Sequence, residues 1–590
     1  MLKCTINNVA IEVPEGTTIL RAAEKAGLRI PTLCYVEGRD PIGACRVCVV
    51  EVKGGKTLMP ACATPVTADM VVFTNTARVR RARRQVLELI LSEHDGNCQI
   101  CNRNDDCELQ ELANELSISG IKFQGEKARA HRDESTAALV RDNAKCIKCR
   151  RCVTVCSQIQ GVGALFPQGR GFKTVIGPAF TRDLGDVACV QCGQCAAVCP
   201  VGAITEKSHI EGVWQALEDP KKHVVVQTAP AIRAALGEEF GYDPGTQVTG
   251  PMVTALRQLG FDGVFDTNFT ADLTIMEEGT ELLTRLKKAL VDKESVALPM
   301  FTSCSPGWIK FAEYYYPDIL PNISTCKSPQ QMFGAVAKTY YAHKIGKKPE
   351  EIVVVSVMPC TAKKFEAQRP EMNASGVQDV DFVLTTRELA RMIKQEGIDF
   401  RSLPDGTMDS PLGLSSGAAD IFANTGGVME AALRTAYEIV TGRELPADNL
   451  HVQPVAGLEG IKEASLKVEN PLAAWSFLDG AELKVAVAHG LGNARRLIER
   501  VKRGEASYHF VEIMTCPGGC IGGGGQPRFT TDEVRLKRIA AIYREDEGKK
   551  VRKSHENEEV RQIYREYLGQ PLGHKSHHLL HTTYQPRAKA

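Results

Sequence analysis

Three short stretches late in the chain each present a thiol in a setting suited to chemistry: FTSCSPGW (301–308), MPCTAKKFE (358–366) and EIMTCPGGCIGGGGQP (512–527). Together they carry Cys304, Cys360, Cys516 and Cys520, four soft donors, enough for one metal cluster. Each stretch follows an apolar or β-branched run, SVALPMF (295–301), EIVVVSV (351–357) or YHFVEIM (508–514). Each thiol is therefore expected at a strand tip, where the following loop can be shaped without disturbing a sheet. The glycines of 518–525 let backbone approach a bulky inorganic group. Pro306 and Gly307 start a helix sharply and place its positive end near an anionic cluster. Of the 21 cysteines, sixteen lie before residue 200. The start, MLKCTINNVAIEVPEGTTIL, lacks the order of a secretion signal, so so many cysteines point to metal ligands rather than disulfides.

The front cysteines fall into three groups. Cys34, Cys45, Cys48 and Cys62 combine a long loop, a CxxC and a distant fourth thiol, the way a plant-type ferredoxin wraps a 2Fe–2S cluster. The preceding CTINNVAIEVPEGTTILRAAEKAGLRIP predicts a β-hairpin and a short helix, as in a β-grasp ferredoxin. A zinc ribbon prefers two similar CxxC knuckles, and only one is present. Cys4 lies outside the pattern and reads as a buried strand residue. His94, Cys98, Cys101 and Cys107 offer one imidazole and three thiolates, a set that suits zinc or a 4Fe–4S cube by ligand count. Its place directly after a 2Fe–2S module resembles the electron-entry region of the large iron–sulfur subunit of respiratory complex I, where such a set holds a cube. CIKCRRCVTVC (146–156) and CVQCGQCAAVCP (189–200) are each CxxCxxCxxxC, the second ending in the Cys-Pro of bacterial ferredoxins. In that run the fourth cysteine ligates the other cube. One cube is thus assigned Cys146, Cys149, Cys152 and Cys199, and its neighbour Cys189, Cys192, Cys195 and Cys156. Three cluster-bearing modules in series form a conduit for single electrons, which implies a terminus for two-electron chemistry.

The elements that must position these groups follow from composition and periodicity. With 590 residues and 43% hydrophobic content, the chain is large enough for three or more domains. A net charge of +1 argues against a nucleic-acid binder or a polybasic membrane-surface protein. No uncharged apolar run approaches the length of a membrane span. The basic stretch RVRRARRQVLELIL (78–91) reads as an amphipathic helix with a solvated basic face rather than an RNA contact. From about 210 to 530, β-branched runs such as HVVVQ (223–227) and KVAVAHG (484–490) alternate with helical stretches, an α/β pattern. The expected fold is multidomain, α+β and α/β. It comprises a β-grasp 2Fe–2S ferredoxin (1–78), a His/Cys3 4Fe–4S module (79–136), a bacterial two-cluster ferredoxin (137–209), an α/β catalytic domain (210–530) and a C-terminal segment (531–590).

The three late cysteine motifs resemble the signature motifs of the iron-only ([FeFe]) hydrogenases, and SGAADIFANTGGVMEAALR (416–434) is similar to another stretch of that family. The tail from Arg538 to Tyr584 resembles the family's small-subunit segment, here fused. Its histidines suit no recognised metal spacing and are expected to be structural or interacting. The resemblance implies an H-cluster: a 4Fe–4S cube joined through a cysteine sulfur to a diiron unit carrying CO, CN⁻ and azadithiolate. With the front modules this makes one 2Fe–2S cluster, three accessory 4Fe–4S clusters and a fourth cube in the H-cluster. By the same resemblance Cys520 bridges cube and diiron unit, Lys363 donates to a cyanide, and Met358 and Met514 pack beside the diiron unit. Glu278 and Glu281 share one helix face, with Arg285 a turn beyond Glu281, which by spacing alone is an ion-pair stripe. The family places a proton relay here: Glu281, Ser324, Glu278, then a cysteine of the first motif.

That first motif departs from the family, which has two adjacent cysteines, the first relaying protons and the second binding the cube. Here Cys304 is followed by Ser305. Either Cys304 keeps the relay role and leaves Ser305 in the ligand's place, or Cys304 is recruited as cube ligand. Cys326 is expected to be a buried bystander. The reaction implied is 2H⁺ + 2e⁻ ⇌ H2 in a cytoplasmic enzyme of an anaerobe. Expected partners are flavin/NAD(P)-binding and 2Fe–2S subunits of an NAD(P)-linked or electron-bifurcating complex, or soluble ferredoxin, besides maturation proteins for the diiron unit. No GxGxxG opening a βαβ unit is evident, so nicotinamide or flavin is not expected on this chain. The alternative is a non-catalytic iron–sulfur protein on the same fold, an H2 sensor or cluster-assembly scaffold; Lys363, Glu278 and Glu281 favour the enzyme.

Overall fold

The computed structural model describes every residue except 105, 128–129, 446–452, 456–457, 529 and 589–590. At the front, Leu2–Ile6 and Val9–Val13 form the expected hairpin, closed by Asn7 and Asn8, both with positive φ, as a tight two-residue turn requires. Met70–Phe73 pairs parallel to the first strand, and Val49–Val52 and Met59–Pro60 complete a five-stranded sheet. The helix Ile19–Lys25, N-capped by Thr18, packs Ile19, Leu20 and Ala23 over its core with Ile6, Val13 and Val72. The basic stretch is a helix, Ala77–Glu93, but its basic residues are not all solvated. Arg83 is buried and donates to the Val49 carbonyl at 2.9 Å, tying the helix to the sheet. Farther along, a small sheet of Arg132–Asp133, Leu139–Asp142 and Ile204–Glu206 flanks the two paired cysteine runs.

Two sheets build the body. A four-stranded parallel sheet runs Gly263–Asp266, His223–Thr228, Ile352–Met358, Phe382–Thr385; Ile352–Met358 is buried throughout, as a central parallel strand covered on both faces should be. The second sheet runs Met300–Phe301, Phe510–Met514, Glu482–His489, Leu458–Lys467, Gln453–Val455, the first three parallel and the rest antiparallel. SVALPMF yields only the two-residue strand Met300–Phe301: Pro299 brings no N–H to a ladder and the chain joins the sheet after it. The helix Thr267–Lys287, N-capped by Asp266, is buried along most of its length, and Pro306 occupies the first turn of the helix Pro306–Tyr315.

The C-terminal segment wraps back onto this body. After the helix Asp532–Gly548 the chain reaches a short helix, His574–Leu580, whose end pairs with the loop after Ile323. Lys327 N–H donates to the Leu580 carbonyl and Thr582 N–H to the Thr325 carbonyl, both at 2.7 Å. No helix among the described residues is long and apolar enough to cross a membrane.

Candidate metal centre

In the first module, backbone turns bring the four thiols together in two close pairs. Cys48 and Cys62 sulfurs lie 3.4 Å apart, and Cys34 is hydrogen-bonded to Cys45. The Cys45 thiol, then the Cys45 and Ala44 N–H groups, pull Cys34 down against its burial while Cys34 in turn pushes Cys45 up, so the two thiols hold one proton between them more readily than two. In the second module His94 is buried and its Nδ1 has no hydrogen-bond partner, while burial lowers its affinity for a proton. A buried imidazole nitrogen left free in this way suits a metal. Burial raises Cys107, near Cys101.

The paired runs interleave. One cavity is lined by Cys146, Cys149, Cys152 and Cys199, and another by Cys156, Cys189, Cys192 and Cys195. Each therefore gathers three thiols from one run and one from the other. Burial pushes Cys146 and Cys156 up to about 11. Left to the protein alone Cys146 and Cys156 stay neutral; thiolates there need the positive charge of bound iron, and the donor chemistry of both cavities fits iron–sulfur cubes.

Cys360 leaves the end of Ile352–Met358 in one sheet, and Cys516 and Cys520 leave the end of Phe510–Met514 in the other. The three converge. Burial raises Cys516, followed by the charges of Cys360 and Cys520, and pushes Cys520 up to about 12, with Cys360 the next cause. The glycine loop makes the approach possible: a Cβ on Gly519 would lie 2.6 Å from the Thr425 nitrogen, and one on Gly523 2.2 Å from the Pro359 carbonyl oxygen. A Cβ on Gly524 would lie 2.2 Å from the Cys192 carbonyl oxygen, so this loop also touches the ferredoxin-like module. Thr361 Oγ1 donates to the Gln191 carbonyl at 2.8 Å and Gln194 Nε2 to the Gly522 carbonyl at 2.9 Å, locking the two together. Buried thiols from two sheets around a cradle that admits no side chain fit a cube.

The first motif divides its two residues. The Cys304 thiol is held neutral by burial, then by its charge neighbours Glu278 and Cys520. Ser305 Oγ instead bonds Thr515 Oγ1 at 2.6 Å and accepts the Thr515 N–H at 3.2 Å, beside Cys516. Lys363 Nζ donates to the Cys304 carbonyl at 3.1 Å and to Glu366 at 2.9 Å, and thus reaches across the centre. Met358 and Met514, both buried, end the two strands that feed it.

Glu278 and Glu281 are buried on one face of Thr267–Lys287. Burial, then the charge of Glu281, pushes Glu278 up to about 8, so both its protonation states are accessible near neutral pH. Ser324 Oγ donates to Glu281 Oε2 at 3.0 Å, and Arg285 pairs with Glu281 Oε1 at 2.7 Å. The ion pair and the serine contact therefore coexist on one carboxylate. Cys326 is buried as expected, yet its sulfur lies 3.9 Å from Glu281 and 4.0 Å from His581. Glu366, Gln194, Thr361 and His581 were not legible as site residues. Glu366 alone left a trace, three residues after Lys363 on one helix face; the others reach the site only through tertiary approach.

The family profile for the iron-only hydrogenase large subunit, C-terminal domain, matches residues 222–524, and that for the iron hydrogenase small subunit matches 532–587. Ahead of them lie a 2Fe-2S iron-sulfur cluster binding domain (1–77), an NADH-ubiquinone oxidoreductase-G iron-sulfur binding region (83–122) and a 4Fe-4S dicluster domain (145–203). The chain is 52% identical to the NADP-reducing hydrogenase subunit HndD of Solidesulfovibrio fructosivorans, over the full length of both. It is 41% identical to iron hydrogenase 1 of Clostridium pasteurianum, covering 98% of this chain and 99% of that one. A variant of [FeFe]-hydrogenase HydA1 from Chlamydomonas reinhardtii superposes with a TM-score of 0.58 at 47% identity, over 64% of this chain and 99% of its own. With 2Fe–2S and 4Fe–4S domains in front of the H-cluster domain, the chain belongs to the iron-only hydrogenases.

Proposed function

We propose that this chain is the hydrogen-activating subunit of an assembly that exchanges electrons between H2 and NAD(P), with electrons crossing the front clusters one at a time. The observation that carries the reading is the convergence of Cys360, Cys516 and Cys520 beneath the Cys192 loop, at the end of a row of cysteine modules. A relative of the same full length is named as an NADP-reducing subunit, which supports a flavin- and nicotinamide-binding partner over soluble ferredoxin. Held by Cys360, Cys516 and Cys520, an H-cluster would supply heterolytic cleavage of H2 and a place for its two electrons.

The ligand sets follow the cysteine groups: Cys34, Cys45, Cys48 and Cys62 for a β-grasp 2Fe–2S domain (1–78), and His94, Cys98, Cys101 and Cys107 for the cube of the next module (79–136). Cys146, Cys149, Cys152 and Cys199, and Cys189, Cys192, Cys195 and Cys156, hold the two cubes of 137–209. Cys360, Cys516 and Cys520 would hold the cube of the catalytic domain (210–530), and Cys520 would also be the residue shared with a diiron unit. Ser305, turned toward Thr515, would take the fourth ligand position, and Cys304, with Glu278 as its charge neighbour, would keep its proton for the relay. Lys363, its side chain fixed by Glu366, would donate to a cyanide of the diiron unit. Met358 and Met514 line the apolar side. Protons pass between Cys304, Glu278, Ser324 and Glu281.

Fully matured chain, assayed for H2 uptake with an artificial dye and then with NAD(P)⁺, tests this. Dye reduction alone, with NAD(P)⁺ reduction appearing on addition of a flavoprotein partner, is expected. Full-rate NAD(P)⁺ reduction by the single chain removes the partner; no dye reduction at all favours the sensor or scaffold.

A further inference from the structure

The relay described above ends at Glu281, and the structure closes the obvious way out. Arg285 Nη2 pairs with Glu281 Oε1 at 2.7 Å and also donates to the Ile323 carbonyl, while Nη1 donates to the carbonyls of Ala297, Pro321 and Asn322. A guanidinium is always charged and gives up no proton, so this side of Glu281 is a fixed cation and not a conductor.

The other oxygen of Glu281 opens in a different direction. Thr325 Oγ1 lies 3.2 Å from Glu281 Oε2 and 2.8 Å from His581 Nδ1. His581 Nε2 lies 3.1 Å from Glu277 Oε2, and its side chain is 1% exposed. Glu277, fully buried, also accepts from Tyr564 Oη at 2.5 Å and from Leu572 N–H at 2.8 Å. The His577 ring, exposed on the surface, stacks on His581 with centroids 4.7 Å apart and planes 6° from parallel. A buried imidazole bonded on both nitrogens, between a relay carboxylate and a surface imidazole, has the form of a proton station.

We propose that His581, supplied by the C-terminal segment, is the outer station of the proton relay, joined to Glu281 through the Thr325 hydroxyl and to solvent past His577. The proposal rests on reading Glu281, Ser324, Glu278 and Cys304 as the inner relay. During H2 oxidation the Glu281 carboxyl passes its proton to Thr325 Oγ1 as Thr325 passes its own hydroxyl proton to His581 Nδ1. The neutral imidazole becomes an imidazolium facing the Glu277 carboxylate, and Glu281 becomes a carboxylate facing Arg285. The imidazolium then releases one proton past His577, a tilt of either ring or one bridging water closing the gap, and returns to neutral. No electron moves, and proton reduction runs the same steps backward. The groups that set the charge on His581 are Glu277 and Glu281 from the long helix, with Arg285 behind Glu281, Cys326 and the Thr325 hydroxyl from the facing loop, Tyr564 through Glu277, Tyr584 on the Ser324 and Cys326 carbonyls, and His577 with His574 on its own segment.

The test uses the full, matured chain with His581→Ala, Glu277→Gln and Glu281→Gln. Infrared CO and CN⁻ bands are recorded to confirm an unaltered H-cluster, and turnover is followed in both directions between about pH 5 and 9. His581→Ala is expected to slow turnover about tenfold or more with unchanged bands, and added imidazole to restore much of the rate. Glu277→Gln, which keeps the ring but removes its anion, is expected to move the pH midpoint of turnover downward, because the imidazolium loses its partner. Turnover within about twofold of the unaltered chain for both variants at every pH, or a loss in His581→Ala that imidazole does not lift, overturns the proposal. Should His581→Ala yield no folded protein, the Glu277→Gln midpoint decides: an unmoved midpoint overturns it. Glu281→Gln separates the two readings. If it abolishes turnover while His581→Ala does not, the exit is wrong and the inner relay stands; if it is harmless, both fall.

Discussion

Cys304 and Ser305 are adjacent in the chain but belong to different networks, the thiol to Glu278 and the hydroxyl to Thr515. That division yields a residue-level prediction. Cys304→Ser keeps the iron content and slows turnover about a hundredfold or more, because a hydroxyl is far less acidic than a thiol, whereas Ser305→Cys keeps turnover and alters the electron paramagnetic resonance of the cube. The reverse pattern makes Cys304 the ligand. Glu512, a charge neighbour of Cys520, carries a pH prediction. Its carboxylate accepts N–H groups of Gly426 and Met429 at 2.6 and 2.8 Å, yet burial outweighs them and pushes it up from 4.5 to about 7. The folded chain therefore holds a proton that the unfolded chain has released, and stability falls as pH rises from about 4.5 through 7. Glu512→Gln, which cannot titrate, gains about 3 kcal/mol relative to the unaltered chain between about pH 4 and 8, read from denaturation midpoints. The grouping of the paired cysteine runs was legible at this scale because each cavity takes three of its thiols from one short local run. His581 was not, because its partners Thr325 and Glu277 lie more than 250 residues away.

At the scale of elements, strand tips did what apolar runs ending in cysteine motifs led one to expect, with both sheets delivering thiols to one place. SVALPMF misled in length alone, since Pro299 delays its entry to the sheet. The docking of modules had no local signature: nothing in CVQCGQCAAVCP announces that Gly193 and Gln194 face Thr361 and Gly522. Gly524→Ala tests that joint. Its Cβ would sit 2.2 Å from the Cys192 carbonyl oxygen, backbone against backbone, so one side must move. The expected result is slower oxidation of the catalytic centre by the front clusters, seen in rapid-mixing spectra, with iron content unchanged. An unchanged rate would place the electron route elsewhere.

Across the whole molecule, a buried ion pair fastens the front to the body, Arg387 to Glu206 at 2.8 Å, and a hydrogen bond from Arg103 to the Cys199 carbonyl at 2.7 Å joins two of the front modules. A rigid joint of this kind keeps successive clusters at fixed separations, which single-electron transfer needs and a flexible linker would not supply. The C-terminal segment similarly closes over the Glu281 end of the long helix instead of trailing from it. On the proposed function, order along the chain becomes order along an electron path on one side of the centre and a proton path on the other. The most direct test of that arrangement is the infrared spectrum of the matured, full-length chain in the CO/CN⁻ stretching window. A set of sharp bands that shifts on exposure to H2, and is lost in Cys520→Ser, is the predicted result. A matured chain with all its iron but no such bands, or bands indifferent to Cys520→Ser, would contradict the account.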